Sequence, residues 1–134
     1  MTASPRILRP LALAALILTL AACAPPPASE PTPFVASATT KFEVRVLTAK
    51  WCHMCHGVPA MIEKLRKDFP NVEFREYDID DPAHAKLQVE YNADAVPFFA
   101  IVADGKLVGR VRGLMEQDAF AAYLRKTMAG GRSL

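Results

Sequence analysis

The alternation of apolar and polar residues predicts four strands between residues 41 and 128. In residues 42–47, Glu43 and Arg45 alternate with apolar positions before the run ends in Leu47, which is the period of two expected of a strand. Similar apolar patterns predict three more strands, at residues 72–79, 98–102 and 106–111. Asp104-Gly105 separates the last two strands, and this dipeptide is typical of a tight hairpin turn.

Apolar residues recur at helical spacing in two further segments, which predicts amphipathic helices. One set follows directly after the second of two closely spaced cysteines: Val58, Met61, Ile62, Leu65 and Phe69. The other set lies near the end of the chain: Phe120, Tyr123, Leu124 and Met128. Between them, Asp81-Pro82 has the form of an N-cap followed by a first-turn proline, so we predict a helix through Leu87 and Tyr91. The order β-α-β-α-β-β-α predicts an α/β fold with a mixed central sheet and helices on both faces.

The first residues of the chain have the pattern of an export signal. Arg6 and Arg9 precede an apolar run over residues 11–22 that ends in small residues, and this run is shorter than the roughly 20 residues that span a membrane. We therefore predict a signal peptide over residues 1–22. The junction Leu20-Ala21-Ala22-Cys23 resembles the lipobox of bacterial lipoproteins, which implies that Cys23 is lipidated and anchors the protein in the cell envelope. The alternative is an ordinary cleavage site that releases a soluble protein.

Proline sets the character of the segment after Cys23. Residues 23–40 contain five prolines: Pro25, Pro26, Pro27, Pro31 and Pro33. Such a segment cannot bury a core and favours an extended spacer, which at about 3 Å per residue could reach ~50 Å. We therefore divide the rest of the chain into a lipid-anchored tether (23–40), a folded domain (41–130) and a short tail (131–134). In a Gram-negative bacterium, Ala24 after Cys23 resembles the signal for the outer membrane, with the domain facing the periplasm.

Charge and composition exclude some classes of function. The formal charge of the 134-residue chain is +2, but without Arg6 and Arg9 it has 16 − 2 = 14 Lys and Arg against 14 Asp and Glu. This near-neutral balance gives no electrostatic case for nucleic acid, whose binding normally shows as a basic patch, so we expect none to bind. We also expect a monomer with no cofactor and no metal.

The pair Cys52-x-x-Cys55 lies where a predicted strand meets a predicted helix. Disulfide exchange needs one accessible cysteine with a lowered pKa and a second within reach, and this spacing supplies both. We predict that Cys52 attacks from the exposed helix start, that Cys55 is the more shielded resolving thiol, and that the two form a disulfide. Trp51 would form a wall of the site, and a protonated His53 would lower the pKa of Cys52 and make the disulfide more oxidising.

These residues resemble the thioredoxin family over about residues 41–128. The resemblance consists of Trp51-Cys52-x-x-Cys55 after a strand, Tyr91 and Val96-Pro97 before another, Asp104-Gly105 in a turn and Gly113 before the last helix. It implies the thioredoxin fold and a protein thiol–disulfide oxidoreductase that acts on protein thiols or disulfides and is recycled by a redox partner. It further implies that Pro97 is cis, lies against the cysteines and exposes the backbone of Val96 to substrate.

Several positions depart from the family pattern. Val46 stands where thioredoxin has a buried Asp that serves the resolving thiol as a base, and Glu76 stands at the accompanying lysine. Glu76 is either a replacement carboxylate or a solvated strand residue. Phe98 follows Pro97 in place of Thr, and Pro59 comes one position early in its helix. The proton acceptor, the redox potential and the direction of exchange are therefore not predicted.

Three alternatives use the same motif. Cys52-x-x-Cys55-His56 is also the attachment sequence of c-type haem, although cytochrome c domains are helical and strands follow here. A copper-handling protein of the same fold is another, because cysteine, histidine and methionine suit Cu(I) and Zn²⁺. The third is a stabilising disulfide without turnover.

Overall fold

The computed structural model describes residues 36–130. The predicted signal peptide, Cys23, most of the predicted tether and the tail lie outside the described residues. The described part of the tether is folded against the domain: Ala36 packs on the core, and Thr40 N–H donates to Ser37 O at 3.1 Å. Among residues 36–130, no helix is both long and apolar enough to cross a membrane.

Four strands form one mixed sheet in the described part of the chain, in the order β2-β1-β3-β4. Their bounds are β1 Phe42–Thr48, β2 Val72–Asp78, β3 Phe98–Ala103 and β4 Lys106–Arg112. Strand β1 is parallel to β2 and antiparallel to β3, and β3 is antiparallel to β4. The turn between β3 and β4 is the predicted hairpin, with φ of 47° at Asp104 and 80° at Gly105, the left-handed conformation that this turn type requires.

Three α-helices pack against this sheet: α1 Val58–Asp68, α2 Ala85–Tyr91 and α3 Gln117–Met128. A 3₁₀ turn over His53–Gly57 precedes α1, because Pro59 near its start has no N–H with which to extend the α-helical pattern back toward Cys52. Asp81 caps a second short 3₁₀ turn, Pro82–His84, by accepting from Ala83 N–H at 2.9 Å. The predicted cap is therefore confirmed, although the turn it begins is 3₁₀ before it becomes α-helical.

Apolar side chains fill both faces of the sheet. One face packs against α1 and α3 and includes the aromatic pair Phe99 and Phe120, whose ring centroids lie 4.9 Å apart. The other face packs against α2 through Leu47, Leu87 and Phe98. Each such buried side chain contributes about 1.5–3 kcal/mol of hydrophobic free energy. The predicted α/β fold, a mixed sheet with helices on both faces, is confirmed.

The ends of the described domain lie at one pole and the cysteines at the other. At the start of β1, Lys41 N–H donates to Asp104 Oδ1 at 2.9 Å and Asp104 N–H donates to Lys41 O at 3.0 Å. Strand β1 runs from there for seven residues and ends beside Cys52. Both α1 and α3 start at the cysteine pole and run away from it, and the Arg125 guanidinium near the end of α3 lies 5.1 Å from the Phe69 ring centroid at the end of α1.

Candidate active site

Cys52 and Cys55 form a disulfide at the junction of β1 and the 3₁₀ turn, with Cα atoms 5.3 Å apart. Together with Ala49 they make a small buried cluster. The predicted difference in shielding is not seen in the whole residues, because Cys52 is 5% exposed and Cys55 is 6% exposed. Burial therefore does not distinguish the attacking from the resolving cysteine.

Backbone geometry does distinguish the two sulfurs. Cys52 is the N-cap of the 3₁₀ turn, and its Sγ accepts a hydrogen bond from Cys55 N–H at 3.2 Å. The same N–H lies 3.1 Å from Cys52 O. An N–H at a helix start favours a negatively charged sulfur, so after reduction this shared donor would stabilise a thiolate on Cys52.

Trp51 stands at the rim of the site and is 70% exposed. Its indole Nε1–H donates to Asp80 Oδ1 at 3.0 Å, and Lys50 N–H donates to Asp80 Oδ2 at 3.1 Å. Asp80 is itself held by its own N–H, which donates to Asp78 Oδ1 at 3.0 Å. Asp80 is a site residue that the sequence analysis missed. The three aspartates of Asp78-x-Asp80-Asp81 mark a turn, but nothing local shows that this turn returns to Trp51.

The Val96–Pro97 peptide bond is cis, as the family resemblance implied. Val96 packs against the cluster of Cys52 and Cys55, and Pro97 is buried. Within residues 36–130 the N–H and C=O of Val96 make no hydrogen bond, whereas Pro97 O accepts from Gly113 N–H at 2.8 Å. The unpaired backbone of Val96 therefore lies against the disulfide, and the hydrogen bond from Gly113 to Pro97 fixes this segment.

Two histidines flank the cysteines on the exposed side of the 3₁₀ turn. The rings of His53 and His56 are 5.5 Å apart between centroids and meet edge to face at 61°. Met54, between the cysteines, is 53% exposed. His53 is therefore next to Cys52 in the chain but outside the buried sulfur cluster.

Within residues 36–130, no buried carboxylate stands in for the aspartate that thioredoxin has at the position of Val46. Val46 is fully buried and pairs in register with Glu76, so both side chains point to the α1 face of the sheet. Glu76 is exposed, which agrees with a solvated strand residue.

A partly buried polar cluster lies on the α2 face, away from the cysteines. The Arg45 guanidinium donates to the Tyr91 hydroxyl and to Glu43 Oε2, the latter at 3.0 Å. Burial raises the pKa of Tyr91 to about 12, and the neighbouring Glu90 contributes in the same direction. The hydrogen-bonded ion pair with Glu43 raises the pKa of Arg45, which keeps the guanidinium charged.

The alternatives of haem attachment and metal binding concern the same residues. The haem motif lies between β1 and α1, where both sulfurs are joined to each other and His56 is exposed. In residues 36–130, no three or more His, Cys, Asp or Glu side chains are grouped to hold a metal ion.

Comparisons with known proteins identify the family. The thioredoxin family model matches residues 34–126. The thioredoxin H-type of Fagopyrum esculentum is 34% identical over 71 residues, 53% of this chain and 60% of that protein. The mitochondrial thioredoxin of Mus musculus is 33% identical over 79 residues, 58% of this chain and 46% of that protein. These matches span less than two thirds of either relative.

Among solved structures, oxidized mitochondrial thioredoxin 3 from Saccharomyces cerevisiae superposes with a TM-score of 0.58 at 26% identity, over 64% of this chain and 78% of that one. The family match, the shared fold and the Cys52–Cys55 disulfide beside a cis proline agree with one another. The family match also covers more than half of the 134 residues. The chain therefore belongs to the thioredoxin family.

Proposed function

We propose that this protein exchanges disulfides with protein substrates through Cys52 and Cys55. The observation that carries the proposal is the hydrogen bond from Cys55 N–H to Cys52 Sγ, beside the unpaired backbone of Val96. One sulfur is thus prepared to be a thiolate, and an extended substrate segment can pair with Val96 next to it. Proteins named thioredoxin that match this chain support the same activity.

The exchange proceeds in two displacements. The Cys52 thiolate attacks one sulfur of a substrate disulfide, which forms a mixed disulfide and releases the other substrate sulfur as a thiolate. Cys55, after losing its proton, then attacks Cys52 Sγ, which forms the Cys52–Cys55 disulfide and releases the second substrate thiol. The substrate is reduced by two electrons and the protein is oxidised by two, so a redox partner must reduce the protein again. Run in reverse, the same steps donate a disulfide.

Trapping of mixed disulfides tests the assigned roles. Cys55→Ser should accumulate mixed disulfides with substrate proteins, because the first attack proceeds and no second thiol releases the partner. Cys52→Ser should trap little, because its remaining sulfur lacks the helix-start donor. Non-reducing gels of both variants, made in a Cys23→Ala background, measure this. Equal trapping by the two variants would refute the assignment, and no trapping with no turnover of a dithiol substrate would favour a structural disulfide.

The redox potential decides the direction of exchange. We infer that His53, when it is protonated beside Cys52, makes the disulfide more oxidising, so His53→Ala should become less oxidising in equilibrium with glutathione. A potential of about −270 mV would indicate a reductant, and a potential of about −120 mV would indicate a disulfide donor. An unchanged potential in His53→Ala would remove this histidine from the redox chemistry.

We also propose that the domain works outside the cytoplasm as a lipid-anchored, monomeric protein of the cell envelope. The support is the basic and apolar start of the chain, the Leu20-Ala21-Ala22-Cys23 junction and the proline-rich segment after it. Membrane fractionation of Cys23→Ala beside the parent protein tests the anchor: the parent should be in the membrane fraction and the variant should be soluble. The same distribution for both proteins would contradict it.

A further inference from the structure

The two exposed histidines beside the disulfide lie on a turn that brings their side chains together. His53 and His56 are three residues apart within the 3₁₀ turn His53–Gly57. Side chains three apart in a 3₁₀ helix eclipse each other, because the helix has about three residues per turn. Cys52 and Cys55 have the same spacing on the neighbouring stripe and are buried, so the histidine stripe faces solvent and the cysteine stripe faces the core.

The distance between the two rings suits a shared metal ion. Imidazole nitrogens bind Zn²⁺ at about 2.0–2.1 Å, and one ion held by a nitrogen from each ring would keep the ring centres roughly 5 Å apart. The observed separation of the His53 and His56 centroids is 5.5 Å, and the rings are inclined by 61°. At this separation, rotation of the two side chains would bring one nitrogen of each ring to a common ion, and both residues are exposed to solvent.

We propose that His53 and His56 form a binding site for a borderline divalent transition-metal ion, such as Zn²⁺ or Cu²⁺, at the rim of the disulfide. The site uses the two imidazoles and water, so the oxidised protein binds the metal without its cysteines. With two protein ligands, the site should bind metal more weakly than sites closed by three or four ligands. The inference stands on the geometry of the turn and does not depend on the exchange activity.

Calorimetric titration of the oxidised protein with Zn²⁺ tests the site. All variants carry Cys23→Ala, so that no free thiol takes part, and the absence of thiols is checked with Ellman's reagent. One Zn²⁺ should bind per chain, and His56→Ala should weaken binding at least about tenfold. His84→Ala is the matched control, because His84 is the third of the three histidines and contacts Asp78 O and Tyr77 instead. Its affinity should equal that of the parent.

A register variant separates chelation from simple histidine content. His56→Ala combined with Met54→His keeps three histidines but places the second imidazole directly after His53, and adjacent side chains on a helical turn do not face each other. Met54 is 53% exposed, so the new side chain would lie in solvent. This variant should bind as weakly as His56→Ala. Binding within about twofold of the parent in either variant, an equal loss in His84→Ala, or no binding by the parent would refute the site and leave only an edge-to-face ring contact.

Discussion

Asp80 fixes the orientation of the exposed Trp51 ring through one carboxylate. Because this carboxylate also accepts from Lys50 N–H, its loss frees both the ring and the loop before Cys52. Asp80→Ala should therefore raise the KM for a protein disulfide several-fold and leave the rate with a small disulfide nearly unchanged. Steady-state kinetics with both substrates, beside the exposed Asp68→Ala, measure the difference. A proportional loss on both substrates would mean that Asp80 acts on the sulfurs and not on the substrate surface.

Ionisation of Tyr91 should lower the stability of the fold at alkaline pH. Its pKa is raised to about 12 by burial first and by Glu90 second, whereas an unfolded tyrosine ionises near 10. The folded protein thus holds this proton more tightly than the unfolded chain. The resulting stability is present below about pH 10 and is lost as pH rises toward about 12.

Chemical denaturation at a series of pH values tests this behaviour. The stability of the parent protein should fall more steeply between about pH 10 and 12 than that of Tyr91→Phe, because the variant has no hydroxyl to ionise. Absorbance titration of the phenolate should show one fewer late-ionising tyrosine in the variant. Parallel stability curves would show that Tyr91 ionises alike in both states.

Residues carried by local motifs could be found from the sequence, and those fixed by distant contacts could not. Trp51, Cys52, Cys55 and Pro97 each lie in or beside a short pattern of residue types. Asp80 depends on a turn that returns to Trp51 from 29 residues away in the chain, which no local pattern encodes. The assumed exposure of Cys52 was wrong for a similar reason, because Val96 approaches it from another element.

At the scale of elements, Gly113 holds the cis-proline segment from behind. Its φ is 77°, where a Cβ is strained, and its N–H donates to Pro97 O at 2.8 Å. Gly113→Ala should destabilise the protein by about 1–2 kcal/mol, since a left-handed alanine carries that cost. Gly57→Ala is the matched control, because Gly57 has helical φ and alanine there should be neutral or stabilise by up to about 1 kcal/mol. Urea unfolding measures both; an equal effect at the two positions would contradict the argument.

Within residues 36–130, hydrophobic period and cap residues together located the four strands and the three α-helices, but not every boundary. A period near 3.6 after Cys55 does not distinguish a 3₁₀ turn from an α-helix over a few residues, so the α-helical start at Val58 was not predicted. The position of this start depends on Pro59. Because Pro59 has no N–H, it cannot make the α-helical hydrogen bond that would extend the helix into the preceding turn. Strand β2 likewise ends at Asp78, one residue before the predicted end, although Ile79 N–H still donates to Thr48 O at 2.9 Å.

Arg66 protects the exposed edge of the sheet. Strand β2 is an edge strand within the described residues, and the Arg66 guanidinium from α1 donates to Phe74 O at 2.9 Å. Glu73 and Arg75 add charges along the same strand, paired at 2.6 Å. A capped and charged edge resists pairing with another chain.

For the whole molecule, the class of fold followed from the order of elements, but the order of strands needed the structure. The sequence predicted a mixed sheet and two helical layers because short apolar strands alternate with amphipathic helices. It did not specify that β1 lies between β2 and β3, which places Cys52 at the end of a central strand. The strand that leads to the site is therefore hydrogen-bonded on both sides.

The opposed poles of the domain determine how it can be attached to a surface. Lys41 and the end of α3 lie at one pole, and β1 carries the chain from there over roughly 20 Å to the disulfide. A linker joined at either end of the domain therefore leaves from the pole opposite the disulfide. In an anchored copy, the sulfurs would lie on the side of the domain opposite the attachment point. Proteins in the surrounding solution could reach them there.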